Sequence, residues 1–371
     1  MTQDLPTQRL TELFAGPLDA AWFAPSFLAA IPAAQVTEIL RGLTASFGKL
    51  THVDLADGQG TIHLERATMP VRIGLDAQAR IDMLWFGTAV SSMATLEDIA
   101  ANLSTAAMGK LSILVAVDGQ PLLERDADVP MAVGSAFKLV VLKAYEAAIA
   151  RGALSRDTVA TFEEQDRSLP SGTLQVLPAG TPVTLESLAA LMIQISDNTA
   201  TDTLMRVLGR DAIEALSPRN APFLTTRELF RLAASADDLR QRFAAGTREE
   251  RAALLAGLAD GPLPNAMTIG RKATWPEAEW FLSAREICGL LAELQDAPAL
   301  SVREHPLFAA HDWPRFGFKG GSEFGVLNLS AIGTAPDGRT VCVVVTANGE
   351  AAQSEIAIAP LFSALFPAAL R

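Results

Sequence analysis

The chain of 371 residues predicts a mixed fold, α+β in its first part and α+β / α/β in its second, divided into two domains. Three observations lead there. Strand-like runs gather in two separate places, at about residues 50–88 and at 111–125 together with 325–347. Helical spacing dominates the stretch between, from about 135 to 300. Hydrophobic residues make up 49% of the chain, enough for a sizeable core. Strands at both ends with helices between imply an antiparallel sheet with flanking helices and a helical subdomain set into it. The expected divisions are a small α+β domain over 1–88, a linker over 89–107 and a larger domain over 108–371.

In the first domain, "DAAWFAPSFLAAI" and "AAQVTEILRGLTASF" have helical spacing. Four short runs follow, "LTHVDLA", "GTIHLER", "MPVRIGL" and "RIDMLWFG", with "DGQG" and "DAQA" as turns between them. Helices followed by an antiparallel curl of strands suggest a sheet wrapped on a helix. A polar connection near 88–98 leads onward. The second domain opens on "LSILVAVDGQPLLER", returns to strands in "GVLNLSAIGTAP" and "RTVCVVVTA", and closes with a helix, "SEIAIAPLFSALF". A site is expected at the seam between sheet and helical insert.

Composition excludes several classes. The net charge of −12 argues against nucleic acid and against docking on an anionic membrane. No stretch approaches the ~20 apolar residues of a membrane helix. The opening "MTQDLPTQRL" lacks the pattern of a signal peptide, which leaves the compartment open. Cys288 and Cys342 read as buried thiols, with one disulfide as the alternative. His52 and His63 read as surface or packing residues outside any metal-like cluster, and Asp54, Asp57 and Asp76 as solvated turn residues. The indoles of Trp22 and Trp85 are expected in the core or at an interface. The reading calls for neither metal nor cofactor.

Chemistry concentrates in three places. "GSAFKLVVLKAYEAAIARG" sets Ser135 and Lys138 at i and i+3, on one helix face. A serine hydroxyl needs a base to become a nucleophile, and a desolvated lysine supplies one. By itself the pair also suits an ordinary helix start with a capping serine. "QISDNTATD" carries Ser196, Asp197 and Asn198, equally a turn and N-cap. "FGFKGGSEFGVLNLS" sets Lys319 before Gly320, Gly321 and Ser322; paired glycines let a ligand lie against a strand edge, and a plain hairpin is the alternative.

Taken in this order, residues from about 108 to 371 resemble class A β-lactamases and their penicillin-recognising relatives, whose motif set has this sequence of parts. The resemblance implies a β-lactamase/transpeptidase-like domain in which Ser135 forms an acyl-enzyme and Lys138 is its base. It implies that Ser196 relays a proton to the leaving group and that Asn198 holds the substrate's amide. It implies that Lys319 steers a carboxylate and lowers the pKa of Ser196, and that the N–H groups of Ser135 and Ser322 form the oxyanion hole. "SLPSGTLQ", "MIQISDNTATD", "PFLTTRELF", "EWFLSAREIC" and "GFKGGSEFGVLNL" are similar to a branch that joins an N-terminal domain like steroid isomerases, of cystatin-like or NTF2-like fold, to the lactamase-like domain. One member belongs to clavulanic acid gene clusters, and the branch is associated with weak esterase and cephalosporin-hydrolysing activity. Ser171, in "SLPSG", is expected on a loop bordering the site, with a turn-forming serine as the equal alternative.

Two departures from the family pattern matter. The third motif carries glycine at 320, where the family has a threonine or serine hydroxyl, with Ser322 as a partial substitute. The Glu-x-x-Leu-Asn loop, whose glutamate drives deacylation in class A enzymes, has no match. Glu228 in Thr225-x-x-Glu228 reads as a capping box, and Glu163 and Glu164 as solvated. The expected function is a serine hydrolase acting on a small-molecule ester or β-lactam-like substrate. The rivals are a module that stays acylated or only binds, and a DD-peptidase. The first domain is expected to shape access without performing chemistry.

Overall fold

The computed structural model describes residues 5–56, 58–87, 89–91, 95–259, 261–266, 269, 272–301 and 313–371. Asp57 lies outside them, as does part of the 88–98 connection. The described chain divides into two compact units, 1–107 with 304–313 and 354–371, and 108–303 with 314–353.

The first unit begins with helices α1 (Leu5–Ala15), α2 (Pro25–Ala30) and α3 (Ala33–Phe47). Strands β1 (Leu50–Ala56), β2 (Gln59–Leu64), β3 (Ala67–Leu75) and β4 (Ile81–Phe86) then form an antiparallel meander in sequence order, with the short β5 (Val90–Ser91) beside β3. Leu10 and Leu13 of α1, Val36, Leu40 and Phe47 of α3, and Ile62, Met69, Val71 and Ile73 of the sheet supply its buried face. Trp85 departs from expectation. It is 49% exposed on β4, with the Arg72 guanidinium 5.4 Å from its ring centroid. Residues 81 and 85 would share a face by simple alternation, but a register irregularity beside Ile81 shifts the pattern, so Trp85 points away from the side on which Leu84 and Phe86 are half-buried.

The stretch expected as linker, 89–107, contains helix α4 (Leu96–Ala106). Thr95 caps it by accepting the Asp98 N–H, and Ile99, Ala100 and Leu103 are buried at helical spacing. The last helix of the chain, expected within the larger domain, packs instead on α3 and α4 and belongs to the first unit. Its Phe362, Leu365 and Phe366 are fully buried. It is named below in chain order.

The second unit follows as β6 (Lys110–Val117), β7 (Gln120–Arg125), β8 (Met131–Ala132), α5 (Lys138–Ala150), β9 (Val159–Thr161), β10 (Pro182–Thr184), α6 (Leu185–Gln194), α7 (Asn198–Leu208) and α8 (Arg210–Glu214). It continues as α9 (Thr226–Ala233), α10 (Asp237–Ala245), α11 (Arg248–Leu258), β11 (Phe281–Leu282), α12 (Ala284–Leu294), β12 (Arg315–Phe318), β13 (Gly321–Glu323), β14 (Val326–Thr334) and β15 (Thr340–Asn348). The closing helix is α13 (Glu355–Ala369). The main sheet runs β12-β14-β15-β6-β7, all antiparallel, with β13 also on β14. Strands β14 and β15 are buried almost throughout, which explains why "RTVCVVVTA" is apolar without alternation. The mixed α+β architecture with antiparallel sheets is the one predicted.

Helix α5 is the centre of the helical part. Leu139, Val140, Val141, Leu142, Ala144, Tyr145 and Ala148 are all buried, while Lys143, Glu146, Ala147 and Ala150 keep one narrow face at the surface. Cys288 on α12 and Cys342 on β15 are joined as a disulfide, with Cα atoms 6.1 Å apart, in place of the expected free thiols. Packing of α12 on β15 brings these distant positions together. Among the described residues no helix is long and apolar enough to cross a membrane.

One clamp ties the sheet to the segment entering α5. The Asn348 side chain accepts the Ala132 N–H at 2.9 Å and donates to the Ala132 carbonyl at 2.9 Å. All these groups are buried, and Ser135 is three residues downstream. Asn348→Leu strands a buried donor and acceptor, each worth ~1–3 kcal/mol. Urea unfolding is therefore expected to show a loss of ~2–5 kcal/mol, and Asn348→Asp, which still accepts the N–H, a smaller one.

Candidate active site

Ser135 lies in a single 3-10 turn, Gly134–Phe137, that runs directly into α5. The turn is braced from below. Phe137 stacks on Trp280 with ring centroids 3.6 Å apart, and the Val133 N–H donates to the Trp280 carbonyl at 3.1 Å. Trp280 is itself held by its indole N–H on the Leu224 carbonyl, 3.1 Å away.

Lys138 is the first residue of α5 and is 0% exposed. Its Nζ is 3.2 Å from Ser135 Oγ, 3.0 Å from Ser196 Oγ, 2.7 Å from the Ser196 carbonyl and 2.6 Å from Asn198 Oδ1. Lys319, 3% exposed, donates to the same Ser196 Oγ at 3.1 Å and to the Gly320 carbonyl at 2.6 Å. Ser135, Lys138, Ser196 and Lys319 thus form one hydrogen-bonded chain, drawn from three separate segments.

Desolvation decides the charge of this chain. It pushes Lys138 well below the usual lysine range, and the Lys319 ammonium pushes the same way, against the pull of Asp202, Asp197 and Glu323. Burial lowers Lys319 to about 7. Two ammonium groups on one hydroxyl would repel, so the arrangement favours at least one neutral amine near neutral pH. A neutral Lys138 can accept the Ser135 proton.

The Ser196 turn joins α6 to α7 in a left-handed conformation, φ +56°, that points its carbonyl at Lys138. The Ser171 hydroxyl donates to that same carbonyl at 2.7 Å. Asn198 has both ends of its amide engaged, Oδ1 by Lys138 and Nδ2 on the Leu169 carbonyl at 3.0 Å. Asp197 caps α7 through the Ala200 N–H at 2.8 Å and holds the "SLPSG" loop through the Thr173 and Leu174 N–H groups.

Strand β13 passes against the Gly134–Phe137 turn. A Cβ on Gly321 would fall 2.1 Å from the Val133 carbonyl and 2.5 Å from the Ser135 nitrogen. A Cβ on Gly134, whose φ is +49°, would stand 3.0 Å from the Ser322 nitrogen. The Ser135 and Ser322 amides therefore flank one gap, with Gly320 just ahead of it and the Ser322 side chain exposed.

Other candidates lie elsewhere in function. Glu228 forms the expected capping box with Thr225 and pairs with Arg210 at 2.7 Å. Glu163 caps a short turn and meets Arg206 at 3.1 Å. In the first unit, Asp54 accepts from or receives both histidines, His52 Nε2 at 2.7 Å and His63 Nε2 at 2.9 Å, a cross-strand pairing that spacing alone did not suggest. Asp76 closes its own turn on the Gln78 and Arg80 N–H groups. No group of three or more His, Cys, Asp or Glu suited to a metal occurs among the described residues. Asp202 was not singled out by any motif. It is buried, accepts the Thr226 and Arg227 N–H groups at 2.8 and 2.9 Å, and burial lifts it to about 7.

The fold is β-lactamase-like, a mixed α+β architecture with antiparallel sheets and many helices. Residues 95–272 match the model of the β-lactamase enzyme family. The chain is similar in structure to a β-lactamase from Sphaerobacter thermophilus DSM 20745, with a TM-score of 0.52 and 23% identity over 75% of this chain and 97% of that one. A β-lactamase from Chitinophaga pinensis DSM 2588 follows at a TM-score of 0.49 and 17% identity, covering 74% and 98%. A structure titled PBP-A follows at 0.48 and 16%, covering 74% and 97%. No curated protein matches the chain. The likeness at a TM-score of 0.52 bears on the fold, and the family match covers residues 95–272.

Two outcomes follow from the geometry. Gly321→Ala has only backbone atoms to displace, so β13 must move off the Gly134–Phe137 turn, and urea unfolding is expected to show a loss of ~1–3 kcal/mol. For Lys319, the unfolded chain binds the proton up to the ordinary lysine pKa of 10.5 while the folded chain releases it near 7. Stability therefore gains from this group as pH rises across that window. Lys319→Met should flatten the rise by up to ~1.4 kcal/mol per pH unit, read by urea unfolding at several pH values.

Proposed function

We propose that the second unit is a serine hydrolase that works through an acyl-enzyme on Ser135, with esterase activity and weak β-lactam hydrolysis. The observation that carries this reading is the desolvated Lys138 amine, which touches both Ser135 Oγ at 3.2 Å and Ser196 Oγ at 3.0 Å. Lys138 takes the Ser135 proton as Oγ attacks the carbonyl carbon. The carbonyl electrons move onto oxygen, opposite the Ser135 and Ser322 N–H groups. Ser196 passes the proton to the leaving group, and Lys319 stabilises the Ser196 oxygen as it does so. Asn198 and Ser171 hold the Ser196 turn in register, and Asn198 borders the substrate's amide. Gly320 to Ser322 lie beside the acyl group.

We place the chain in the branch that couples a steroid-isomerase-like N-terminal domain to this hydrolase. The helices of the first unit, followed by a four-strand antiparallel meander, support that placing. The occupied Asp54 carboxylate supports a first unit without catalytic chemistry of its own.

Intact-protein mass spectrometry after exposure to a panel of activated esters and β-lactams tests the reading. The parent is expected to gain the acyl mass on the Ser135 peptide. Ser135→Ala is expected to keep its thermal transition and lose both adduct and turnover; an unchanged rate in that variant would falsify the assignment. Lys138→Arg keeps a cation but cannot release its proton at working pH, so acylation should fall by ~10²–10⁴-fold.

A further inference from the structure

Four oxygens surround the Lys138 amine, and the amine cannot donate to them all. An ammonium has three N–H donors, whereas a neutral amine has two and a lone pair. The Ser196 carbonyl at 2.7 Å and Asn198 Oδ1 at 2.6 Å can only accept, and they are the two shortest contacts. In the neutral amine they take both N–H groups. The lone pair is then left for a hydroxyl, that of Ser135 at 3.2 Å or of Ser196 at 3.0 Å. Two oxygens that make and break no bonds therefore set the direction of the lone pair.

Each of these oxygens is held from outside. Asn198 Nδ2 donates to the Leu169 carbonyl at 3.0 Å, which keeps the Oδ1 end toward Lys138. The Ser196 carbonyl has a second donor, the Ser171 hydroxyl at 2.7 Å. A carbonyl oxygen has two lone pairs, so Lys138 and Ser171 between them fill it. Ser171 also accepts the Asn198 N–H through its own carbonyl, at 3.1 Å. It thus holds both sides of a turn whose Ser196 stands at φ +56°, a left-handed conformation that a serine keeps only where its surroundings fix it. The loop of Ser171 is anchored in turn by Asp197, which accepts the Thr173 and Leu174 N–H groups at 2.6 and 2.8 Å.

We infer that Ser171 is a positioning residue for the base: by sharing the Ser196 carbonyl with Lys138 it weakens that oxygen as a partner for an ammonium and keeps the amine's lone pair turned toward the hydroxyls. This rests on the serine-hydrolase reading above. In acylation the Ser135 Oγ–H bond breaks, Oγ bonds to the carbonyl carbon, and the proton goes to the Lys138 lone pair. Lys138 then passes a proton to Ser196 Oγ as the Ser196 hydroxyl proton goes to the leaving group. Ser171 neither gains nor loses a proton and touches no reacting atom. Without its hydroxyl the Ser196 carbonyl is a better acceptor, and hydrogen bonds to the charged form favour that form. Lys138 then keeps its proton to higher pH.

The test measures acylation of the full chain by an activated ester across pH, with rapid quench and intact mass. Besides burial, the charged groups that act on Lys138 are Lys319 after β12, Asp202 on α7, Asp197 at its cap and Glu323 on β13, which shares a cavity of about 270 Å³ with Glu279. All are common to every Ser171 variant, so a shift between variants reads the hydroxyl. Ser171→Ala is expected to move the acid limb of the acylation profile up by about one pH unit, equivalent to a ~10-fold loss on that limb. On the alkaline plateau its rate should come within about threefold of the parent. Ser171→Thr, which keeps the hydroxyl, should return the limb to the parent position. A limb that stays at the parent position in Ser171→Ala, whether the rate is unchanged or lowered equally at every pH, overturns the inference and leaves the hydrolase reading standing. So does a Thr variant with the limb of the Ala variant. No Ser135 adduct in the parent overturns both. Should Ser171→Ala fail to fold, Ser171→Cys, whose thiol is a weak donor, replaces it, and a limb at the parent position overturns the inference there too.

Discussion

A lysine amine with no solvent contact is the constraint from which the rest of the second unit follows. Water is the best solvent for an ammonium, and removing it disfavours the charged form. The fold offsets that loss with four acceptors around Lys138, namely two hydroxyls, a carbonyl and an amide oxygen. Each acceptor must be held in place by something else. Asp197 and Ser171 hold the Ser196 turn, the Leu169 carbonyl orients Asn198, and the Phe137–Trp280 stack supports the turn that carries Ser135. The apolar run after Lys138 then acquires its meaning. Helix α5 is apolar on all but its Lys143–Glu146 face because it is the post around which the other helices pack, and its N-terminus emerges at the site.

The second constraint is the close approach of β13 to the Gly134–Phe137 turn. Two backbones can come this near only where side chains are absent, which explains Gly134 and Gly321 on the facing segments. The interruption between β12 and β13 has a related effect. Strand pairing with β14 continues on both sides of it, through the Lys319 N–H on the Ser330 carbonyl, while the Lys319 side chain turns inward to Ser196. A glycine at 320 meets no backbone obstacle comparable to that at 321, so the missing hydroxyl there is a difference in chemistry and leaves the strand path intact. Burial that lowers both lysines, Lys319 to about 7, also costs folding stability at neutral pH.

Much of the architecture was legible in the chain because its signals are local. The boundaries of α3 coincide with "AAQVTEILRGLTASF", and strands β1 to β4 fall on the four strand-like runs. Helix α4 was missed because it is short and sits in a polar stretch, where only Thr95 and three apolar positions mark it. The Cys288–Cys342 bridge was unreadable for a different reason: its partners are brought together by α12 packing on β15, which no local pattern records. Trp85 was misjudged because an indole is usually buried, whereas a register irregularity beside Ile81, which no local pattern records, turns it outward.

By itself the sequence determined the order in which Ser135, Lys138, Ser196, Asn198 and Lys319 come, since they belong to short motifs carried on local helices, turns and strands. It also determined the largely apolar character of α5. Only the tertiary structure decided that one lysine would lose its water, that two lysines would share the Ser196 hydroxyl, that Ser171 would support the Ser196 carbonyl, and that Glu279 and Glu323 would meet in one cavity. The physical reason is the same in each case. Protonation and hydrogen bonding depend on distance and dielectric, and these are set by segments that are far apart in the chain and adjacent only after folding.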